Sequence, residues 1–327
     1  MGKLKIQLLI YLKGVAMGGA DVVPGVSGGT IAFITGIYSQ LLDSINSVDK
    51  EAFKLLFKLK ISAFWNKVNG IFLLPLFLGI VTSLLSLAKL IEHLLENEPI
   101  SLWSFFFGLI IISSVLVLRE VKNWKIQNIL SIALGILIAY YITIATPSQT
   151  TEALWFVFLS GCIAICAMIL PGISGAFLLL ILGKYEFVLG TINRLIGGLL
   201  EGNFDTFGQD ILVVGVFITG CIVGLLSFAR AVSWLLKHYH DLAVALLSGF
   251  MIGSLNKVWP WKIATGFRIN SDGNQVTTTT SNVLPGEYLK LTNDPPMIFQ
   301  KLILMAVGIL IDVKIEKIAQ YKSSKIK

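Results

Sequence analysis

Val23-Pro24-Gly25-Val26-Ser27-Gly28-Gly29-Thr30 is the stretch that decides the fold, because the chain repeats it as Leu170-Pro171-Gly172-Ile173-Ser174-Gly175-Ala176-Phe177. Laid over each other without a gap, Pro24 falls on Pro171, Gly25 on Gly172, Ser27 on Ser174 and Gly28 on Gly175. The same register carries Gly36 onto Gly183, Tyr38 onto Tyr185 and Asn46 onto Asn193. One Pro-Gly-x-Ser-Gly is an ordinary turn. Two in one register, with matching residues downstream, mark an internal repeat.

Both copies interrupt apolar helices. Leu4 to Ala20 reads as a helix that carries Lys5 and Lys13 and runs into Asp21, and a second helix is expected from Thr30 to Ile45. Proline and glycine between them free backbone N–H and C=O groups that lipid cannot satisfy, so the break must be buried in protein or face water. The expected shape is a re-entrant hairpin over 4–46. Glu152 to Leu170 and Phe177 to Leu195 give the second hairpin, 152–195.

The composition agrees with lipid as the main solvent. Of 327 residues, 55% are hydrophobic and only 14% charged, more apolar surface than a soluble domain of that size can hide. The net charge of +7 comes mostly from short loops between apolar spans, where a membrane protein keeps its cytoplasmic cations; nucleic-acid binding is therefore not expected. Cys162, Cys166 and Cys221 lie inside apolar runs without metal or disulfide spacing and read as space-filling. His93, His238 and His240 lie near span ends without a metal-ligand arrangement. Lys3 and Lys5 before an apolar run resemble a signal peptide, but no cleavage site followed by polar sequence is present, so the segment reads as retained.

Between the hairpins, Phe53, Leu56, Phe57, Phe64, Trp65 and Val68 recur at helical spacing among Lys50, Lys54, Lys58, Lys60 and Lys67. This predicts an amphipathic helix, 48–69, on an anionic membrane face. Spans follow at 71–91, 100–118 and 127–145, each within the roughly 17–25 residues that a crossing needs. The second half repeats them at 211–236, 242–257 and 297–311. Gly79 falls on Gly220, Lys89 on Arg230, Gly108 on Gly249 and Gly135 on Gly308. An insertion, 261–296, separates the last two spans. Asp272-Gly273 between two strand-like runs predicts a β-hairpin there.

With one hairpin and three crossings in each half, the second half must sit upside down relative to the first, and the same holds if both hairpin arms cross fully, so parity does not distinguish the two hairpin forms. Charge gives the same inversion. Lysines follow hairpin one, whereas Glu201, Asp205 and Asp210 follow hairpin two with Arg194 the only cation. By the positive-inside rule these segments lie on opposite faces. Arg119, Lys122, Lys125 and the tail lysines Lys314, Lys317, Lys322, Lys325 and Lys327 are then cytoplasmic, and Glu92, Glu96 and Glu98 are not. The expected fold class is an all-α polytopic membrane protein built as an inverted-topology repeat, 1–146 and 147–327. Each half is one re-entrant helical hairpin plus three transmembrane helices, with a small extracytoplasmic β-hairpin insertion and both termini cytoplasmic.

Inverted repeats with broken helices place a transporter's site where the breaks meet. A helix starting after Pro-Gly-x-Ser-Gly offers free amides and a positive dipole end to an anion. The candidate substrate-binding residues are Pro24, Gly25, Ser27, Gly28, Gly29, Thr30, Pro171, Gly172, Ser174 and Gly175. The plainer reading makes the serines helix caps and the glycines packing residues. Asp21 breaks the symmetry, since Met168 stands in its place, and is the candidate for a coupling proton or sodium ion; a turn cap is its other reading. Lys89 and Arg230 could receive and release an anionic head on opposite faces, or simply snorkel. Lys13, Lys184, Glu186 and Arg194 could line the hairpins. No other cofactor is implied, and no metal.

Met17-Gly18-Gly19-Ala20-Asp21-Val22-Val23-Pro24-Gly25-Val26-Ser27-Gly28-Gly29-Thr30, with the later Leu170 to Gly175, resembles the bacterial polyprenyl-phosphate transporter family over nearly the whole chain. The resemblance implies a flippase that returns undecaprenyl phosphate from the outer to the inner leaflet of the cytoplasmic membrane, for reuse in envelope synthesis. Its partners are then the lipid and the bilayer. Undecaprenyl-pyrophosphate phosphatases are a rival reading, with a Pro-Gly-x-Ser-Arg-Ser turn, but Gly28 and Gly175 stand where that arginine would be. A transporter of a small soluble anion is the third.

Overall fold

In the computed structural model, residues 3–23, 26–146, 150–201, 207–269 and 275–324 are described. The first hairpin consists of α1 (Lys3–Val22), α2 (Gly28–Ile34) and α3 (Tyr38–Asn46). Its second arm, expected as one helix, is two. Gly36 at φ +69° ends α2, a left-handed position that glycine enters without a Cβ penalty. The amphipathic segment also divides, into α4 (Lys50–Phe57) and α5 (Ile61–Lys67), with Leu59 at φ 54° between them. Asp49 caps α4, accepting from the amides of Glu51 and Ala52, and Lys67 of α5 reaches back to Asp49 at 3.1 Å and Glu51 at 2.6 Å.

Next come α6 (Gly70–Ser86), α7 (Ala88–Asn97), α8 (Pro99–Leu118) and α9 (Ile126–Ile144). The expected span 71–91 thus crosses a break at Leu87. The second half runs α10 (Leu154–Ile169), α11 (Gly175–Ile181), α12 (Tyr185–Glu201), α13 (Phe207–His238) and α14 (His240–Ser254). Gly183, at φ +63°, ends α11 as Gly36 ends α2. Strands β1 (Lys262–Ile269) and β2 (Gln275–Asn282) pair antiparallel, from Lys262 opposite Asn282 to Ile269 opposite Gln275, with an irregularity at Gly266. Their expected turn, Asp272-Gly273, lies outside the described residues. Helix α15 (Pro285–Thr292) follows, and α16 (Ile298–Ser324) continues past the expected end of the last span into the lysine-rich tail.

Four helix crossings hold the bundle, and each is made at paired glycines. Helix α1 packs on α6, where a Cβ on Gly14 would stand 2.2 Å from the Leu76 carbonyl and one on Gly79 2.1 Å from that of Tyr11. Helix α10 packs on α13 through Gly161 and Gly220 in the same way, at 2.5 Å from Phe217 O and 2.2 Å from Phe158 O. The remaining pairs are exchanged between halves. Helix α8 crosses α16 at Gly108 and Gly308, and α14 crosses α9 at Gly249 and Gly135. Where the surroundings are as apolar as the side chains, close backbone approach at small residues is what brings helices together.

The outer faces are apolar. Ile129, Leu130, Leu134 and Leu137 of α9 and Ile211, Leu212, Ile218 and Ile222 of α13 are all exposed. A surface of that kind marks contact with a non-aqueous partner. Among the described residues, α8, α9 and α13 are each long and apolar enough to cross a membrane, and α5 with α6 and α11 with α12 form pairs bent by 76° and 104° that together meet the same measure. The protein is mostly helical, with a multi-pass membrane character and one small sheet.

Candidate functional site

The two turns touch at the centre of the buried core. Ser27 takes extended backbone angles before α2, and its hydroxyl accepts from the Gly29 amide at 3.1 Å. Leaving the helix start in this way satisfies one of its unpaired amides. The same hydroxyl donates across the halves to the Met168 carbonyl at 3.1 Å. In return, the Gly172 amide donates to Thr30 Oγ1 at 2.9 Å. Ser27 and Thr30 are 1% and 0% exposed, so these are interior hydrogen bonds, and losing either partner would strand a buried group.

Two glycines make the approach possible. A Cβ on Gly29 would lie 2.5 Å from the Ile169 carbonyl, so α2 rests directly on the end of α10. Gly172, at φ +86°, presses on Phe250 and Met251 of α14. Ser174 caps α11 by accepting from the Phe177 amide at 3.4 Å, and Pro171 and Gly175 are buried. Pro24 and Gly25 lie outside the described residues.

Asp21, at the end of α1, accepts from the Gly28 amide at 2.7 Å. Its repeat counterpart Met168 keeps the position with different chemistry: a Cβ on Gly175 would stand 2.6 Å from Met168 Cγ, and one on Gly28 would stand 2.5 Å from Asp21 Oδ2. A carboxylate therefore occupies the first turn and a thioether the second. The amides of Gly28, Gly29, Gly172 and Phe177 are all engaged by protein oxygens. An incoming anion would have to replace those oxygens rather than fill vacant donors.

Beside the second turn runs an apolar groove of about 380 Å³, lined by Leu170, Phe228, Trp234, Leu235, Leu246 and Phe250 among others. Leu170 and Phe250 connect it to Gly172. A second hollow of about 170 Å³ has a mixed lining, with Phe33, Leu42 and Leu236 beside Asp43 and Lys237, which pair at 2.6 Å.

The remaining candidates are dispersed. Lys89 on α7 and Arg230 on α13 are exposed, and among the described residues neither makes a hydrogen bond to either turn. Lys13 donates to the Thr35 carbonyl at 2.6 Å, at the C-terminal end of α2. In the second half Thr150 does this for the equivalent carbonyl, that of Leu182, at 2.5 Å. Lys184 is buried against Phe156 and Phe187 and donates to the Thr150 carbonyl at 3.3 Å. Arg194 is held by Asp210 at 2.8 Å. The cysteines are free, and Cys162 Sγ donates to the Gly220 carbonyl at the α10–α13 crossing. Among the described residues no group of His, Cys, Asp or Glu could hold a metal ion. Sequence reading missed Met168, noted only as the residue opposite Asp21; its carbonyl is the one Ser27 reaches. Backbone acceptors leave no signal in a sequence.

Residues 17–276 match the model of the VCA0040-like family, described as undecaprenyl phosphate translocase-like. A polyprenyl-phosphate transporter of Vibrio cholerae is 45% identical over 319 residues, covering 98% of this chain and 99% of the relative. A polyprenyl-phosphate transporter of Staphylococcus aureus is 34% identical over 262 residues, covering 76% of this chain and 85% of the relative. No solved structure matches the chain.

Proposed function

The chain belongs to the undecaprenyl phosphate translocase-like family, and from that membership we propose that it carries undecaprenyl phosphate, or a similar polyprenyl phosphate, from the outer to the inner leaflet of the bacterial cytoplasmic membrane. The relatives named as polyprenyl-phosphate transporters support the substrate. The observation that carries the site is the direct bond from the Gly172 amide to Thr30 Oγ1, which makes the two breaks one unit.

On this reading, the phosphate head binds where the halves meet. Its oxygens replace Asp21 on the Gly28 amide and Thr30 Oγ1 on the Gly172 amide, while the hydroxyls of Ser27 and Ser174 donate. Hydrogen bonds to a charged oxygen contribute about 1.5–3 kcal/mol each, enough to outweigh the neutral bond from Gly172 to Thr30, whereas at Gly28 one charge-assisted bond replaces another. Two anions cannot share the Gly28 amide, so Asp21 must take up a proton or a sodium ion, or swing away, as the head arrives. That competition gives it the coupling role. The apolar groove beside the second turn receives the polyprenyl chain, which need never enter water. Lys89 and Arg230 meet the head group near the outer and inner faces.

The inverted arrangement of the halves, with both termini cytoplasmic, fits the exchange of α8 and α14 between the last helices. A phosphatase reading has less support, because glycine stands at positions 28 and 175, where a phosphate-holding arginine would be needed. A lipid is favoured over a small soluble anion by the groove. Purified protein carrying Ser27→Ala or Ser174→Ala should bind polyprenyl phosphate about tenfold more weakly, the loss of one charge-assisted bond, when assayed well below a melting temperature that loss of the buried cap itself lowers. Unaltered binding in both variants would remove the paired-turn site.

A further inference from the structure

Lys257 and Lys262 lie together where α14 gives way to β1, and no reading of the sequence assigned them a role. The Lys257 ammonium sits 3.9 Å from the centre of the Phe177 ring, and the Lys262 ammonium 3.6 Å from that of Trp103. Lys262 Nζ also donates to the Lys257 carbonyl. Among the described residues neither lysine makes an ion pair with a carboxylate. Both rings are 9% exposed, and Trp261 at the start of β1 is 4% exposed. Trp259 and Trp261 are fixed by their indole N–H groups, which donate to Val283 and Pro296. The described surroundings are therefore aromatic, with no carboxylate paired to either lysine.

That is an unbalanced arrangement. A cation over an aromatic face gains about 2 kcal/mol when desolvated, whereas withdrawing an ion from water costs several kcal/mol. Burial, with Lys257 beside it, holds the Lys262 amine well below the usual lysine value. An anion beside the two amines would favour the charged form of both and correct this.

The location gives the anion a route. Phe177 is the residue whose amide donates to Ser174, the cap of the second turn. It occupies the repeat position of Thr30, the hydroxyl that receives Gly172 in the first half. Lys257 falls on Leu116 in the first half, and Lys262 belongs to an insertion without counterpart there. The basic pair therefore has no counterpart in the first half.

We propose that Lys257 and Lys262 form a second anion site, which takes the phosphate monoester head of a membrane lipid before that head reaches the second turn. The site rests on the transport reading above and adds a one-sided docking step to it. Trp103 and Phe177 flank the first carbons of the chain.

The test is titration of the detergent-purified full-length protein with farnesyl phosphate, inorganic phosphate and farnesol, followed by tryptophan fluorescence. Lys257→Met and Lys262→Met should each weaken farnesyl phosphate binding about tenfold, one charge-assisted contact, and the double arginine variant should keep most of it. Affinity in the unaltered protein should fall with added salt, a readout independent of whether the methionine variants fold. Farnesyl phosphate binding that is insensitive to salt, or equal in the folded double methionine variant, overturns the basic site and leaves the turn-centred transport reading standing. Lysine-dependent binding of inorganic phosphate, with farnesyl phosphate binding no tighter, keeps the site and removes the lipid.

Discussion

The Asp21 carboxylate accepts a hydrogen bond from the Gly28 amide at 2.7 Å, and in the other half Met168 lies against Gly175 in the corresponding place. One scaffold position thus carries an anion on one side of the repeat and a neutral thioether on the other. The consequence is separable by substitution. Asp21→Asn keeps an acceptor for Gly28 and removes the charge, so stability should change little, and under the proposed coupling role transport measured with and without an ion gradient should become equal. Asp21→Ala strands the amide and should destabilise the protein by about 1–3 kcal/mol relative to Asp21→Asn, measured by thermal unfolding in detergent.

Thr30 offers a sharper test of the contact between halves. Thr30→Val keeps the shape and deletes the acceptor of the Gly172 amide. In a fully buried position this should cost about 1–3 kcal/mol, and Thr30→Ser should restore most of it. Equal melting of Thr30→Val and the unaltered protein would show that the bond between the turns does not hold the halves together.

The glycine crossings make a prediction about packing alone. Gly79→Ala or Gly220→Ala places a methyl near 2 Å from a backbone carbonyl of the partner helix, at 2.1 and 2.2 Å. The helices must part, at about 1–3 kcal/mol each. Gly197→Ala on α12 meets nothing within 4 Å and should be neutral or gain up to about 1 kcal/mol from helix propensity.

These crossings also show what the sequence discloses. Gly79 with Gly220, Gly108 with Gly249 and Gly135 with Gly308 were legible as repeat partners, because identity at matched positions survives in the letters. Their contact partners were not. That α8 crosses α16 rather than a helix of its own half is a property of tertiary packing, which periodicity does not encode. The turn motif could be read as a helix break with Ser27 and Ser174 at the caps. Gly36 and Gly183 were matched but not read as helix stops, since a lone glycine in an apolar run gives its left-handed angle no other sign. The amides of the turns read as free donors, yet Asp21, Ser27 and Thr30 occupy them. Lys257 and Lys262 carry no motif and are brought to Phe177 and Trp103 only by the fold.

Asp49 predicts an acid limit for the surface unit α4–α5. The Ala52 amide, with help from Lys67, holds its carboxylate below the ordinary value. A depressed folded value means that its contribution is present above the unfolded carboxylate pKa of about 4 and is lost as pH falls through the folded one. The protection of the α4 amides, taken relative to the unstructured exchange rate at the same pH, should therefore fall at acid pH, and Asp49→Ala should show the lower protection already at neutral pH.

In the proposed function the two Pro-Gly breaks together pass a phosphate-headed lipid across the bilayer unchanged. Purified protein reconstituted into liposomes, with labelled polyprenyl phosphate in one leaflet, tests it most directly. Movement to the opposite leaflet without release of inorganic phosphate is expected, slowed by Ser27→Ala and Ser174→Ala. Release of phosphate, or leaflet exchange no faster than in protein-free liposomes, would contradict it.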